Sequence, residues 1–218
     1  MGRPILCFRL EGPLQSWGEH AKWDYRDTAN FPTKSGVVGL IACAMGLERR
    51  DPEIGALSDR LTMAARADRR GELLMDYHTV FSENMKKADG KFRGKRYRTI
   101  ESHRGYLQDA SFLIGLASDR STLETIQHAL AHPKWTIYLG RKSCVPSVPI
   151  LGTITDQYDD LRQAMQRMPL EARHDAEVMI QIEDTRTGQV RMDNRVASTH
   201  RLFAQRYVQH ERYRTEEA

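Results

Sequence analysis

FPTKSGVVGLIACAMG, residues 31–46, leads from a polar stretch, Thr33-Lys34-Ser35-Gly36, into ten residues without a charge. Its length and its Ala and Gly content favour a buried helix over 35–46, although the Val37-Val38 pair also suits a strand. The helical reading places Ser35 near the N-cap and Lys34 just outside it. Such a helix start has two uses. Ser35 can cap the free backbone N–H groups while Lys34 stays in water. Alternatively, those N–H groups and the helix dipole can hold an anion, with Gly36 and Gly39 letting a ligand or a neighbouring strand come close. From the residues alone the simple cap is favoured.

The flanking sequence puts this helix second in a longer order. ILCFRL (5–10) reads as a strand ending at Gly12-Pro13. Residues 14–32, with Trp17, Trp23, Tyr25 and Phe31, read as a long ordered loop, with Trp17 in the core and Trp23 either there or on a partner. Pro52 opens a short helix through PEIGALSDRL. Residues 62–68 and 72–81 alternate as a hairpin would, around Arg69-Arg70-Gly71. YLQDASFLIGLA (106–117) returns as one strand, and Ser121-Thr122-Leu123-Glu124 is a capping box starting a helix to about Ala131. KWTIYLGRKSC (134–144) reads as a strand entering a glycine turn, and 156–168 as an amphipathic helix. AEVMIQIED and TGQVRMDN read as a hairpin turning at Thr187-Gly188, and LFAQRYVQHERY as a last strand. Strand, helix, three strands and a helix predict an α+β, ferredoxin-like (RRM-like) domain over 1–150. A basic β-hairpin protrudes from it at about 82–106, and 151–218 form a smaller, β-rich C-terminal part.

Composition narrows the classes. No apolar run reaches the roughly 18–20 residues of a membrane span, and the start, MGRPILCFRLEG, is too soon polar for a secretory signal. Cys7, Cys43 and Cys144 are scattered, which predicts a reducing cytoplasm and neither a zinc site nor a disulfide framework. The sequence has no Walker loop, GxGxxG or HExxH, so no metal or other cofactor is expected. Net charge is +4, yet residues 86–104 alone carry +6, leaving the remainder at about −2. Concentrated charge of this kind predicts a polyanion contact through Lys91, Lys95, Arg96, Arg98 and Arg104. Phe92, Tyr97 and Tyr106 interleave with the charges and are suited to stacking on bases or meeting a partner. In LGRKSC, Arg141, Lys142 and Ser143 make a donor-rich turn that is either an anion nest or a charged surface turn. Cleavage of RNA would need an acid and a base among His20, Tyr77, His78 and His103. Strand alternation sends Tyr77 and His78 to opposite faces, so His78 is better suited to stacking or hydrogen bonding.

Five stretches together resemble one family: LCFRLEGPLQSWG, FPTKSGVVGLIACAMG, DYHTV, YLQDASF and YLGRKSC. In this order, with the basic insertion after DYHTV, they are similar to the CasD family of RAMP-superfamily CRISPR-associated subunits of the type I-E Cascade complex. The likeness covers roughly residues 5–152, with RLFAQRYV (201–208) beyond it. It implies a non-catalytic subunit that holds the five-prime handle of the CRISPR RNA and caps the complex in antiviral defence. Its basic thumb would meet a Cascade backbone subunit, with Trp23, Phe92 and Tyr97 as partner contacts. The large subunit would be a neighbour, and target DNA would be met through the complex. The resemblance also implies that Lys34, Ser35 and Gly36 touch handle phosphate or base edges. The alternatives are a metal-independent endoribonuclease acting on CRISPR repeat RNA, as in a type I-C relative, and a protein scaffold docking an acidic subunit.

Overall fold

The computed structural model describes residues 3–20, 22–87, 89–92, 99–184, 186–196, 200 and 202–214. Strand β1 (Ile5–Glu11) leads through β2 (Leu14–Gln15) and β3 (Tyr25–Arg26) to helices α1 (Lys34–Met45) and α2 (Glu53–Arg60). Then follow β4 (Thr62–Arg69), β5 (Glu72–Phe81), β6 (Thr99–Gln108), β7 (Ser111–Ala117) and α3 (Arg120–Ala131). The last elements are β8 (Thr153–Thr155), α4 (Leu161–Arg167), β9 (Glu177–Asp184), β10 (Gln189–Arg195) and β11 (Phe203–Arg214). Seven strands make one antiparallel sheet in the order β10-β11-β9-β4-β7-β1-β8, and β5 pairs with β6 in a second. Among the described residues no helix is long and apolar enough to cross a membrane.

Helices cover both faces of the large sheet, so its central strands are buried almost end to end. Leu6, Phe8 and Leu10 of β1 pack with Phe112, Ile114 and Leu116 of β7 into the core beneath α1 and α3. The alternate residues, Ile5 and Cys7 with Leu113, pack against Leu161, Ala164 and Met165 of α4. The period-2 alternation of a strand thus feeds two apolar layers instead of one. Gly36 lets α1 lie against Trp17, since a Cβ there would stand 2.8 Å from the indole Cε3.

Several local expectations change. Thr33, not Ser35, caps α1, its side chain accepting from the Gly36 N–H. Asp119, not Ser121, caps α3, accepting from the Thr122 N–H and from both neighbouring hydroxyls. The expected β4–β5 hairpin does not form. Ala64, Ala65 and Ala67 bury β4 between β7 and β9, whereas β5 turns away at Gly71, whose φ is +71°, into the second sheet. Residues 106–117 are two strands, parted at Asp109 with φ +57°. Residues 134–144 form no strand; Leu139 instead bridges Ser16 and Cys144 through backbone bonds. The helix expected over 156–168 shortens to α4, begun by Asp160. Finally, β9 and β10 do not pair with each other, because β11 lies between them. These C-terminal strands continue the main sheet outward from β4.

Buried charges lock the layers together. The Asp193 carboxylate of β10 receives the Lys34 N–H at 2.9 Å, at the start of α1. It also takes a two-pronged pair of bonds from Arg206 of β11, at 2.6 and 2.9 Å. The Lys34 ammonium is 2.8 Å from Glu183 of β9. Across the sheet, Asp68 is held by Arg66 and Arg9, each at 2.6 Å. Burial alone would raise the Asp193 carboxyl, but the Arg206 fork, the Lys34 N–H and Arg191 outweigh it and hold it below the ordinary carboxylate range. Asp68 is likewise lowered, by Arg66 and Arg9 against its burial.

Asp193→Asn removes the carboxylate on which the buried Arg206 fork and the Lys34 N–H converge and is expected to lose about 3–5 kcal/mol. In a chain of this size that amounts to roughly 10 °C in Tm by calorimetry. Because the folded carboxyls lie below their unfolded values, their contribution is complete above about pH 4 and is lost as pH falls further. The substitution should therefore flatten the acid limb of the stability curve as well as lower its plateau. Gly140→Ala is expected to lose about 2–6 kcal/mol, since its φ is +89° and a Cβ would lie 1.7 Å from the Ser16 carbonyl oxygen.

Candidate nucleic-acid interface

Strands β5 and β6 pair without a break from Glu72↔Gln108 to Phe81↔Thr99. Nine of the ten β5 residues are exposed, so the pair stands out as an arm roughly 30 Å long. Beyond it, Lys86 bridges to Phe92, its ammonium 5.4 Å from the ring centroid. Lys91 and Phe92 are exposed there. Lys95, Arg96, Tyr97 and Arg98 lie outside the described residues.

At the root of the arm, the other edge of β6 is covered by two short strands. Leu14 and Gln15 of β2 pair antiparallel with Gln108 and Leu107. Tyr25 and Arg26 of β3 pair parallel with His103 and Arg104. This parallel register puts Arg26 and Arg104 on the same face of the pair as neighbours, both partly exposed. Arg104 donates to Ser102, while Asp76, across from it, is 2.7 Å from His78 instead. His78 also lies 3.4 Å from the Tyr106 hydroxyl and stacks on that ring. Like charges in register repel unless an anion stands between them. Arg26 was not expected from sequence, because no local signal reveals that residue 26 neighbours residue 104.

The other face carries Tyr77 packed on His103, ring centroids 5.3 Å apart. Desolvation and then a hydrogen bond to the Glu101 carboxylate raise the Tyr77 phenol above its ordinary value. Tyr77 and His78 thus have different neighbours on opposite faces, as strand alternation requires.

Other expected site residues have been given different work. Lys34 is buried, with its ammonium on Glu183 and its N–H on Asp193. An anion does sit at the start of α1, and it is the protein's own carboxylate. Ser35 is half-buried beside it, and Gly36 faces Trp17 rather than a ligand. Arg141 donates to the carbonyls of Gly105, Arg26 and Asp27 and lies 4.7 Å over the Tyr106 ring. It pins β3 and β6 together instead of presenting a free cation. Lys142 and Ser143 are exposed on the same turn, next to buried Cys144. Burial raises the Cys144 thiol, consistent with packing and not with a nucleophile. Trp17 is buried, whereas Trp23 is 74% exposed. Among the described residues no cluster of three His, Cys, Asp or Glu could hold a metal.

Comparison with known proteins agrees with this architecture along nearly the whole chain. A family model described as CRISPR-associated protein (Cas_Cas5) matches residues 5–209. The chain is 38% identical over 165 residues to the CRISPR system Cascade subunit CasD of Escherichia coli (strain K12), covering 69% of this chain and 71% of that protein. Among solved structures, it resembles a chain of a CRISPR RNA-guided surveillance complex with a TM-score of 0.81 and 32% identity, over 96% of this chain and 90% of the other. A crystal structure of a Cas protein matches with a TM-score of 0.71 and 34% identity, over 96% and 95% of the two chains. With the arm, β9, β10 and the start of β11 inside the matched span, the chain belongs to the Cas5 family of CRISPR-associated proteins.

Proposed function

We propose that this chain is the CasD-like subunit of a type I-E Cascade complex and that it grips the five-prime handle of the CRISPR RNA at the root of its arm. The observation that carries this reading is the in-register pair Arg26 and Arg104, two arginines that neighbour each other on one partly exposed face. A phosphate between them relieves their repulsion and gains two charge-assisted contacts. Exposed Lys142 on the nearby turn and Lys91 near the arm's distal end extend the basic surface. Sequence and structural likeness to CasD and to a chain of an RNA-guided surveillance complex support the assignment. The succession β1-α1-β4-β7-α3-β8 supports a ferredoxin-like RAMP core. On this reading the arm meets a backbone subunit, the large subunit is a neighbour, and target DNA is encountered through the assembled complex.

Purified protein mixed with end-labelled CRISPR repeat RNA in EDTA, and split between native and denaturing gels, tests the proposal. The expected result is a native shift that weakens as salt rises, with RNA intact on the denaturing gel. Arg26→Glu and Arg104→Glu should each weaken binding and lower the salt slope by about one unit or more. A discrete cut product would instead make the chain a metal-independent endoribonuclease. Binding with no salt dependence would remove the phosphate grip.

A further inference from the structure

The face of the arm opposite the arginine pair holds a second arrangement. Tyr25 of β3 is in register with His103 of β6, and His103 is in register with Tyr77 of β5. Residues in register on adjacent strands point to the same face. Three rings therefore form one row across three strands spaced about 4.8 Å apart. The row is open to solvent: Tyr25 is 49% exposed, Tyr77 is 53% exposed, and His103 is exposed as well. An exposed aromatic row is out of place in water unless something covers it. Tyr77 is packed against the His103 ring.

The same face continues toward the root. Two residues on from Tyr77↔His103 comes Met75↔Gly105, and two further comes Leu73↔Leu107. Leu73 and Leu107 form one wall of a groove of about 760 Å³, with Val190 and Met192 among its apolar lining and Asn30 and Gln189 among its polar lining. Flat rings with polar edges, leading into a cleft that mixes apolar surface with amides and with the charged side chains of Glu19, Arg70 and Arg191, suit a flat heteroaromatic ligand with a polar rim. An unpaired nucleobase has that chemistry. Aromatic side chains on neighbouring strands of an open sheet are a general means of stacking bases splayed out of single-stranded RNA.

We propose that Tyr25, His103 and Tyr77 form a stacking platform for unpaired bases of the bound RNA, with the adjoining groove receiving the next base. This rests on the reading of the arm as an RNA-contacting element. It adds to it a division of labour, with phosphate on the Arg26 and Arg104 face and bases on the ring face.

The test compares a short unstructured RNA with an abasic RNA of the same length, titrated into the full chain and followed by fluorescence anisotropy. Tyr25→Ala and Tyr77→Ala are each expected to weaken binding of the base-bearing RNA roughly 5- to 150-fold. They should leave the abasic RNA and the salt slope of binding nearly unchanged, and Tyr77→Phe should bind like the wild type. Unaltered thermal melting of the variants separates a lost contact from a lost fold. Equal losses for the two RNAs, or no loss for either, would overturn the platform and leave the ring row to a protein neighbour, while the arginine grip would stand. Failure of the wild type to bind either RNA at low salt would overturn the platform and the proposed function together.

Discussion

The Asp193 carboxylate is the constraint on which the remainder of the molecule turns. It stands where the N-terminus of α1 concentrates positive partial charge, and it accepts the first backbone N–H of that helix. The same two oxygens take the Arg206 fork from β11, so one side chain ties a helix to two strands of the outer sheet. Lys34 and Glu183 repeat the connection a few ångströms away, joining α1 to β9. Buried ion pairs of this type contribute modest net stability compared with apolar packing, but they tolerate no substitution that leaves one partner alone. Their effect is to fix where α1 sits, and α1 in turn fixes Trp17 and the loop that leads into β3.

The arm is the natural counterpart of this rigid body. A long strand paired on one edge only is a hazard, because its free backbone groups invite other strands. Here β5 has that open edge, and its exposed side chains include Leu73, Met75, Tyr77, Val80 and Phe81. In a free-standing protein such a surface would be a liability; under the proposed function it would be covered by a neighbour. Arg141 anchors the arm to the body, reaching carbonyls on both β6 and the loop after β3 while lying over Tyr106.

Sequence revealed the elements better than their neighbours. The runs of apolar residues in 35–46 and 5–10 and the last strand were all legible because such patterns are local properties. Which strands pair is not local. The β4 and β5 segments alternate alike and are joined by a glycine turn, yet the small alanines of β4 suit a strand enclosed on both faces and the bulky residues of β5 do not. The candidate site was legible in part. Arg104 and His78 do lie at the root of the arm, but charge and position in the chain say nothing of whether a lysine points outward. Lys34 looked like a grip on an outside anion because its partners Glu183 and Asp193 are some 150 residues away. Tyr25 and Arg26 were hidden for the same reason, being a two-residue strand inside what reads as loop.

The placement of β11 between β9 and β10 has a consequence for the order in which the chain can fold. During synthesis α1 emerges early, yet the carboxylate that completes its N-terminus stands on β10, which has no place in the sheet until β11 pairs beside it. Contacts so distant in sequence form late and slowly. The nascent chain therefore carries an unfinished helix start and an open β9 edge until its last strand arrives. Pulse-labelled hydrogen exchange should show the α1 N-terminus gaining protection together with β11, after the pairing of β1 with β7.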